Sequence, residues 1–146
     1  MLSRRLIKIS VVYFLLAIVL GNFMGIQQDF RLKHVHVHIA LLGWLSLAVV
    51  GVLYRVYPEL ERGWLPQAHF WLHNVGMVPF MGGFAYFSVT GEHVLAPIAI
   101  GSLVVSLAVV VLAVHVLLRL RAAPDAWDAR ESEMLLDSCL RPKTAD

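Results

Sequence analysis

The chain has 146 residues, of which 59% are hydrophobic and 15% are charged. A typical soluble domain carries about 25% charged residues, so this composition excludes an ordinary soluble domain and favours an integral membrane protein. The formal net charge of +2 is too small to indicate a nucleic-acid partner. Cys139 is the single cysteine, which excludes an intrachain disulfide and a thiolate cluster for zinc or iron–sulfur.

Four apolar segments follow one another along the chain. Each is close to the length that a helix needs to cross a bilayer, which is roughly 20 residues. The sequence therefore predicts an all-α fold, an integral membrane four-helix bundle over residues 1–121 that lies in the lipid bilayer, with a polar tail over 122–146. The predicted helices cover residues 9–26, 35–57, 67–89 and 94–118.

Basic residues concentrate on one side of the predicted bundle, and such an excess marks the cytoplasmic side. The basic residues on that side are Arg4, Arg5, Lys8, Arg55, Arg62, Arg119 and Arg121, against Arg31 and Lys33 on the other. The asymmetry predicts that both termini face the cytoplasm. An aromatic belt on the inner side is predicted from Tyr54, Tyr57 and Trp64.

This topology divides the seven histidines of the chain into two groups near opposite faces of the membrane. The outer group is His34, His36, His38 and His93, and the inner group is His69, His73 and His115. An ionisable side chain within a membrane segment is costly and is by default a functional residue. For each histidine near a helix end, simple solvation is the alternative.

The inner group has the spacing of metal ligands. His69 and His73 lie at positions i and i+4, so they share one face of a helix, and His115 could add a third imidazole. Neutral imidazole suits zinc, copper and iron. We therefore regard His73, His69, His115 and the more distant His93 as candidate metal ligands.

In the outer group, alternate positions on a helix point in nearly opposite directions. Either His36 faces the bundle interior, or the pair His34 and His38 does. Acidic residues are absent from all four predicted helices, and the chain has no HExxH motif, phosphate loop or GxGxxG motif. Histidine in the membrane without carboxylates points to ligation of heme or of copper or another transition metal.

Two segments carry a resemblance to a known family. The start of the second helix resembles helix 2 of subunit I, the catalytic subunit of heme-copper oxidases, especially C-type oxidases and nitric oxide reductases. The residues in this register are Lys33, His36, Gly43, Trp44 and Tyr54, with His38 where that family often has Asn. The run Phe70-Trp71-Leu72-His73-Asn74-Val75-Gly76 is similar to Phe-Trp-Leu-Trp-Asn-Ile-Gly of helix 3 in the same family.

The resemblance covers roughly residues 9 to 90. It implies that His36 is an axial ligand of a low-spin heme, of b type, on the outer side of the membrane. The second axial ligand would be His34, His38, His93 or a histidine of another protomer, which implies a homodimer or a larger membrane assembly. The family's ligands for copper and high-spin heme lie in later helices without counterparts here, so the resemblance leaves open whether the chain is an enzyme.

The resemblance thus implies a small inner-membrane heme-binding protein with a redox, electron-transfer or diatomic-gas (O2 or NO) role. Two alternatives remain at this point. One is a non-heme membrane protein that binds or transports copper or zinc through its histidines. The other is a structural subunit of a respiratory complex.

The predicted orientation is testable with reporter fusions. We expect a reporter fused after Asp146 to read out as cytoplasmic, because the Lys and Arg residues cluster on that side. The same reporter fused after Gln28, in the first outer loop, should read out as periplasmic. A periplasmic signal from the Asp146 fusion would reverse the assignment of the two histidine groups to their membrane faces.

Overall fold

The computed structural model describes residues 1–92, 94–120 and 131–137. Four long helices account for most of these residues: α1 (Leu2–Gln27), α2 (Lys33–Val56), α3 (Leu65–Thr90) and α4 (Leu95–Leu120). A single 3-10 turn, Pro58–Glu61, lies between α2 and α3, and a short helix with exposed side chains spans 131–137. The described ranges contain no strand, so the predicted all-α fold is confirmed.

Helices α1, α2 and α4 are each long and apolar enough to cross a membrane. Helix α3 has the same length as α1 and α4 but a lower hydropathy, because it contains histidine, proline, asparagine and three glycines. It nevertheless carries no Asp, Glu, Lys or Arg, and its two histidines are buried inside the bundle. The chain is therefore an all-α membrane protein, and α3 differs from the other three long helices in its lower hydropathy rather than in added charge.

Helix α1 begins at Leu2, earlier than the predicted residue 9, because a distant carboxylate caps its first turn. The backbone N–H groups of Leu2 and Ser3 and the hydroxyl of Ser3 all donate to the Glu61 carboxylate. The first N–H groups of a helix have no partner within it, and a negative charge there also complements the helix dipole. This contact places the start of α1 and the 57–64 loop at the same end of the bundle.

The helices pack as two pairs, α1 with α2 and α3 with α4, and the contacts between the pairs are fewer. Each pair has a glycine at its closest approach. A Cβ atom at Gly43 of α2 would overlap the ring of Tyr13. A Cβ atom at Gly101 of α4 would lie 2.8 Å from the carbonyl oxygen of Gly76 and closer still to the backbone nitrogen of Phe80. Gly101 thus lets two backbones touch, as small residues do in membrane helix pairs, and Gly43 makes room for an aromatic ring of α1.

Two apolar clusters fill the bundle, one toward each end. The cluster at the end that holds the 57–64 loop consists of Leu2, Leu6, Leu47, Val50, Tyr54, Leu60 and Phe70. The other consists of Val35, Met77, Phe80, Met81 and Val105. Tyr54 is 1% exposed, so its predicted place in an aromatic belt is wrong, whereas Trp64 is 73% exposed. Tyr54 turns inward because it packs with this first cluster and meets the ring of His115 edge-on.

Helix α2 changes its hydrogen-bonding pattern midway, which the sequence did not predict. Residues Ile39–Ser46 form a π-helix between two α-helical stretches, Lys33–His38 and Leu47–Val56. The Ser46 hydroxyl donates to the Leu41 carbonyl, five residues earlier, at 2.9 Å. Most π-helical segments in proteins are single-turn bulges and often lie at functional sites. Here the segment separates the outer histidines from Tyr54.

Gly101 provides a test of the α3–α4 contact. We expect Gly101→Ala to destabilise the folded protein by about 1–3 kcal/mol, because the added methyl overpacks two backbones in contact. The matched control is Gly82→Ala in α3, where an added Cβ meets nothing within 4 Å. That change should be neutral or stabilising by up to about 1 kcal/mol, since alanine favours helix over glycine. Unfolding in mixed micelles measures both, and equal stabilities would contradict the packing.

Glu61 provides a test of the α1 cap through its pH dependence. Partial burial opposes ionisation of this carboxyl group, but the hydrogen bonds from Leu2 and Ser3 and the positive N-terminus outweigh it and lower the pKa of Glu61. A carboxyl group with a lowered folded-state pKa stabilises the fold above its unfolded pKa of about 4.3. That contribution is lost as the pH falls through the folded-state pKa.

We therefore expect Glu61→Gln to be less stable than the wild type at pH 7, with a difference that shrinks as the pH falls below about 4. Thermal unfolding followed by circular dichroism at several pH values measures this difference. Glu59→Gln, in the same turn, controls at pH 7 for the loss of a carboxylate. A stability difference that stays constant through this pH range would show that the cap does not depend on the charge.

Candidate cofactor and metal sites

His36 is a residue of α2 whose imidazole ring points toward α1. Its Nδ1 is 2.9 Å from the carbonyl oxygen of Ala17, and its ring rests against Gly21, where an added Cβ would come within 3.0 Å of the imidazole. A carbonyl only accepts hydrogen bonds, so Nδ1 is the protonated nitrogen and Nε2 carries the lone pair. This arrangement, in which one ring N–H is held by a carbonyl, is typical of histidines that bind a metal.

His38 points the other way, toward α3. Its Nδ1 donates to the carbonyl of His34 at 2.7 Å, so Nε2 again carries the lone pair. The ring packs edge-on against Phe80 at a centroid distance of 5.4 Å and stacks on Phe84 at 5.7 Å. His34 is exposed at the start of α2, 6.2 Å from the same Phe84 ring.

A groove of about 640 Å³ lies beside His38, between α2 and α4, with Phe80 of α3 in its wall. This volume is within the range of small-molecule and cofactor sites, roughly 300–1,000 Å³. Among the described residues, the lining is almost entirely apolar, and His38 is the one ionisable side chain in it. The lining residues are Val37, His38, Leu41, Leu42, Phe80, Ser102, Val105, Ser106, Val109 and Val110.

The outer histidines therefore do not converge on one point. His36 faces α1, His38 faces the groove, and His34 is exposed. His93 lies outside the described residues. The sequence offered His36 or the pair His34 and His38 as the inward-facing set, and the structure buries His36 and His38 partly, in different directions.

The inner histidines are brought together. His69, His73 and His115 are each 1% exposed. The ring centroids of His69 and His73 are 5.5 Å apart, and the ring of Tyr54 meets that of His115 edge-on at 6.5 Å. His69 also lies within electrostatic range of both other imidazoles. We refer to these three histidines and Tyr54 as the inner cluster.

Two main-chain carbonyls orient this cluster. His73 Nε2 donates to the carbonyl of Leu42 at 3.2 Å, and His115 Nε2 donates to that of Leu60 at 2.8 Å. Both rings are thereby fixed as the tautomer with a lone pair on Nδ1. Sequence reasoning missed these carbonyls, because a main-chain acceptor has no side-chain signature, and it missed Tyr54 by placing it at the membrane surface.

The inner cluster has polar atoms without partners. The Nδ1 atoms of all three histidines and the Tyr54 hydroxyl are buried and make no hydrogen bond. Each such atom costs about 1–3 kcal/mol of folding free energy. Across residues 1–92, 94–120 and 131–137, no three His, Cys, Asp or Glu side chains are close enough to hold one metal ion together. The cluster thus offers lone pairs in an apolar interior but no preformed set of three such ligands.

Comparison with known proteins finds similarity to the cbb3-type cytochrome c oxidase subunit CcoN1 of Stutzerimonas stutzeri. The two sequences are 27% identical over 89 residues, which cover 53% of this chain and 19% of that protein. The chain thus spans about a fifth of the length of this curated relative. No family model matches the chain, and no solved structure is significantly similar. The similarity supports only a distant relationship to heme-copper oxidase subunit I.

Proposed function

We propose that the chain is a small heme protein of a bacterial inner membrane, with a redox or electron-transfer role in respiration. The observation that carries this proposal is His38, which presents the lone pair of Nε2 beside an apolar groove of about 640 Å³. The distant similarity to an oxidase subunit supports the same class of function.

The residues around the groove fit a heme. Its apolar walls suit the faces of a porphyrin, and the flat rings of Phe80 and Phe84 already pack on the imidazole of His38. The hydrogen bond from Nδ1 to the His34 carbonyl fixes the orientation of the ring, as the outer contacts of ligating histidines do. A bound heme would supply a one-electron redox couple whose potential depends on its axial ligands.

His36 is the competing axial ligand, because the family resemblance assigns that role to it. Its Nδ1 is also held by a carbonyl, so its Nε2 is equally suited to bind iron. The space around it is different, however, since its ring rests against Gly21 and α1 rather than beside the groove. We therefore take His38 as the groove-side ligand and His36 as the alternative to be tested against it.

A second copy of the chain would complete the site. The groove opens between α2 and α4, where Val37, Leu41, Val109 and Val110 are exposed. Two chains related by a two-fold axis would each present the same face and the same histidine to the other. A homodimer is thus the simplest assembly in which two copies of His38 flank one heme.

A visible absorption spectrum tests the proposal, because heme gives an intense Soret band. We expect the protein purified from heme-sufficient cells to show this band and His38→Ala to lose it, since the axial imidazole is removed. His34→Ala removes an exposed imidazole and should keep the band. Circular dichroism and gel filtration of each variant check that the fold is intact.

The pattern of losses distinguishes the two candidate ligands. A band that is lost in His36→Ala and kept in His38→Ala would assign the iron to the side of α1 and reject the groove. A folded wild-type protein without a Soret band, even after hemin is added, would reject the heme proposal altogether.

A further inference from the structure

The inner cluster contains buried polar atoms without partners, and a heme at His38 would not provide a partner for them. Its Nδ1 atoms are buried and have no partner, and those of His73 and His115 are lone pairs because Nε2 of each ring donates to a carbonyl. A ligand for these atoms must accept electron pairs or donate protons. A metal cation and a buried water molecule are the two simple choices.

The spacing of His69 and His73 favours a metal ion. Two imidazoles that bind one ion at about 2.0–2.1 Å have ring centroids roughly 5–6 Å apart. The observed separation of 5.5 Å matches this expectation. The carbonyl partner of His73 is also the outer-shell contact that ligating histidines usually make, and His115 has the same kind of partner.

The lack of acidic residues in the surrounding helices favours a metal ion of low charge. None of the four helices contains an acidic residue, and Glu61 in the neighbouring loop is bonded to the start of α1. A divalent ion held by neutral imidazoles would leave two uncompensated charges in an apolar interior, which is very costly. Cu(I) brings one charge and is stable with only two or three donors, so it does not need a larger preformed ligand set.

The next donor along α3 is also one that Cu(I) prefers. Met77 follows His73 at i+4, so His69, His73 and Met77 form a row on one face of the helix. Its side chain is 1% exposed, and thioether sulfur is a soft ligand that favours Cu(I) over zinc.

We propose that His69 and His73 bind one Cu(I) ion at the inner end of the bundle. None of the three inner histidines lines the heme groove, so the two sites use different side chains. It involves no change of oxidation state, because Cu(I) enters and leaves as such.

The test uses heme-free, metal-free protein in detergent under anaerobic conditions. Cu(I) is titrated in competition with the chromophoric chelator bicinchoninate, and bound copper is counted by mass spectrometry. We expect one Cu(I) per chain and at least a tenfold weaker affinity in His69→Gln and in His73→Gln. His34→Ala, which removes an exposed imidazole outside the inner cluster, should bind as the wild type does.

X-ray absorption of the copper-loaded wild type gives a readout that does not depend on a variant folding. Imidazole nitrogens at about 2.0 Å from copper are expected. Failure of the wild type to compete with bicinchoninate would overturn the proposal and leave water as the occupant. Tighter binding of Zn²⁺ than of Cu(I), or unchanged copper binding in both folded Gln variants, would also overturn it. None of these outcomes depends on whether heme binds at His38.

Discussion

Hydrogen bonds from imidazole rings to main-chain carbonyls connect the elements of this bundle in sequence. His36 of α2 donates to Ala17 of α1, His73 of α3 donates to Leu42 of α2, and His115 of α4 donates to Leu60 of the 3-10 turn. In an apolar interior such bonds are stronger than in water, and an unpaired polar group is costly. Each histidine thus uses one nitrogen to hold an earlier element and leaves the other nitrogen for a ligand, so folding and ligand binding depend on the same rings.

Some features of this structure were predictable from the sequence, and others were not. Apolar runs bounded by Pro58 and Pro66 are local signals, so the existence of the helices was predictable. The direction of the imidazoles of His34, His36 and His38 relative to Tyr54 was not, because the π-helical stretch between them changes the register of α2 and depends on packing rather than on composition. The start of α1 at Leu2 depends on Glu61, a contact between residues far apart in the chain.

The two candidate sites lie toward opposite ends of the bundle but share a residue. The side chain of Leu42 lines the groove beside His38, and its carbonyl accepts the hydrogen bond that orients His73 in the inner cluster. A ligand that moves this part of α2 acts on both sites at once. The similarity to an oxidase subunit covers about half of the chain. In the inner cluster, His115 of α4 is held by its hydrogen bond to the Leu60 carbonyl.

The π-helical stretch of α2 also has a consequence for how such a chain can change. A π-helical turn closes its hydrogen bonds over five residues instead of four, so it holds more residues per turn than the α-helical stretches on either side. A one-residue deletion within Ile39–Ser46 can therefore be absorbed by a change to α-helical bonding, whereas the same deletion within Leu47–Val56 would turn the two ends of α2 by about 100° relative to each other. The middle of α2 can thus lose one residue while the histidines at its start and Tyr54 near its end keep their partners.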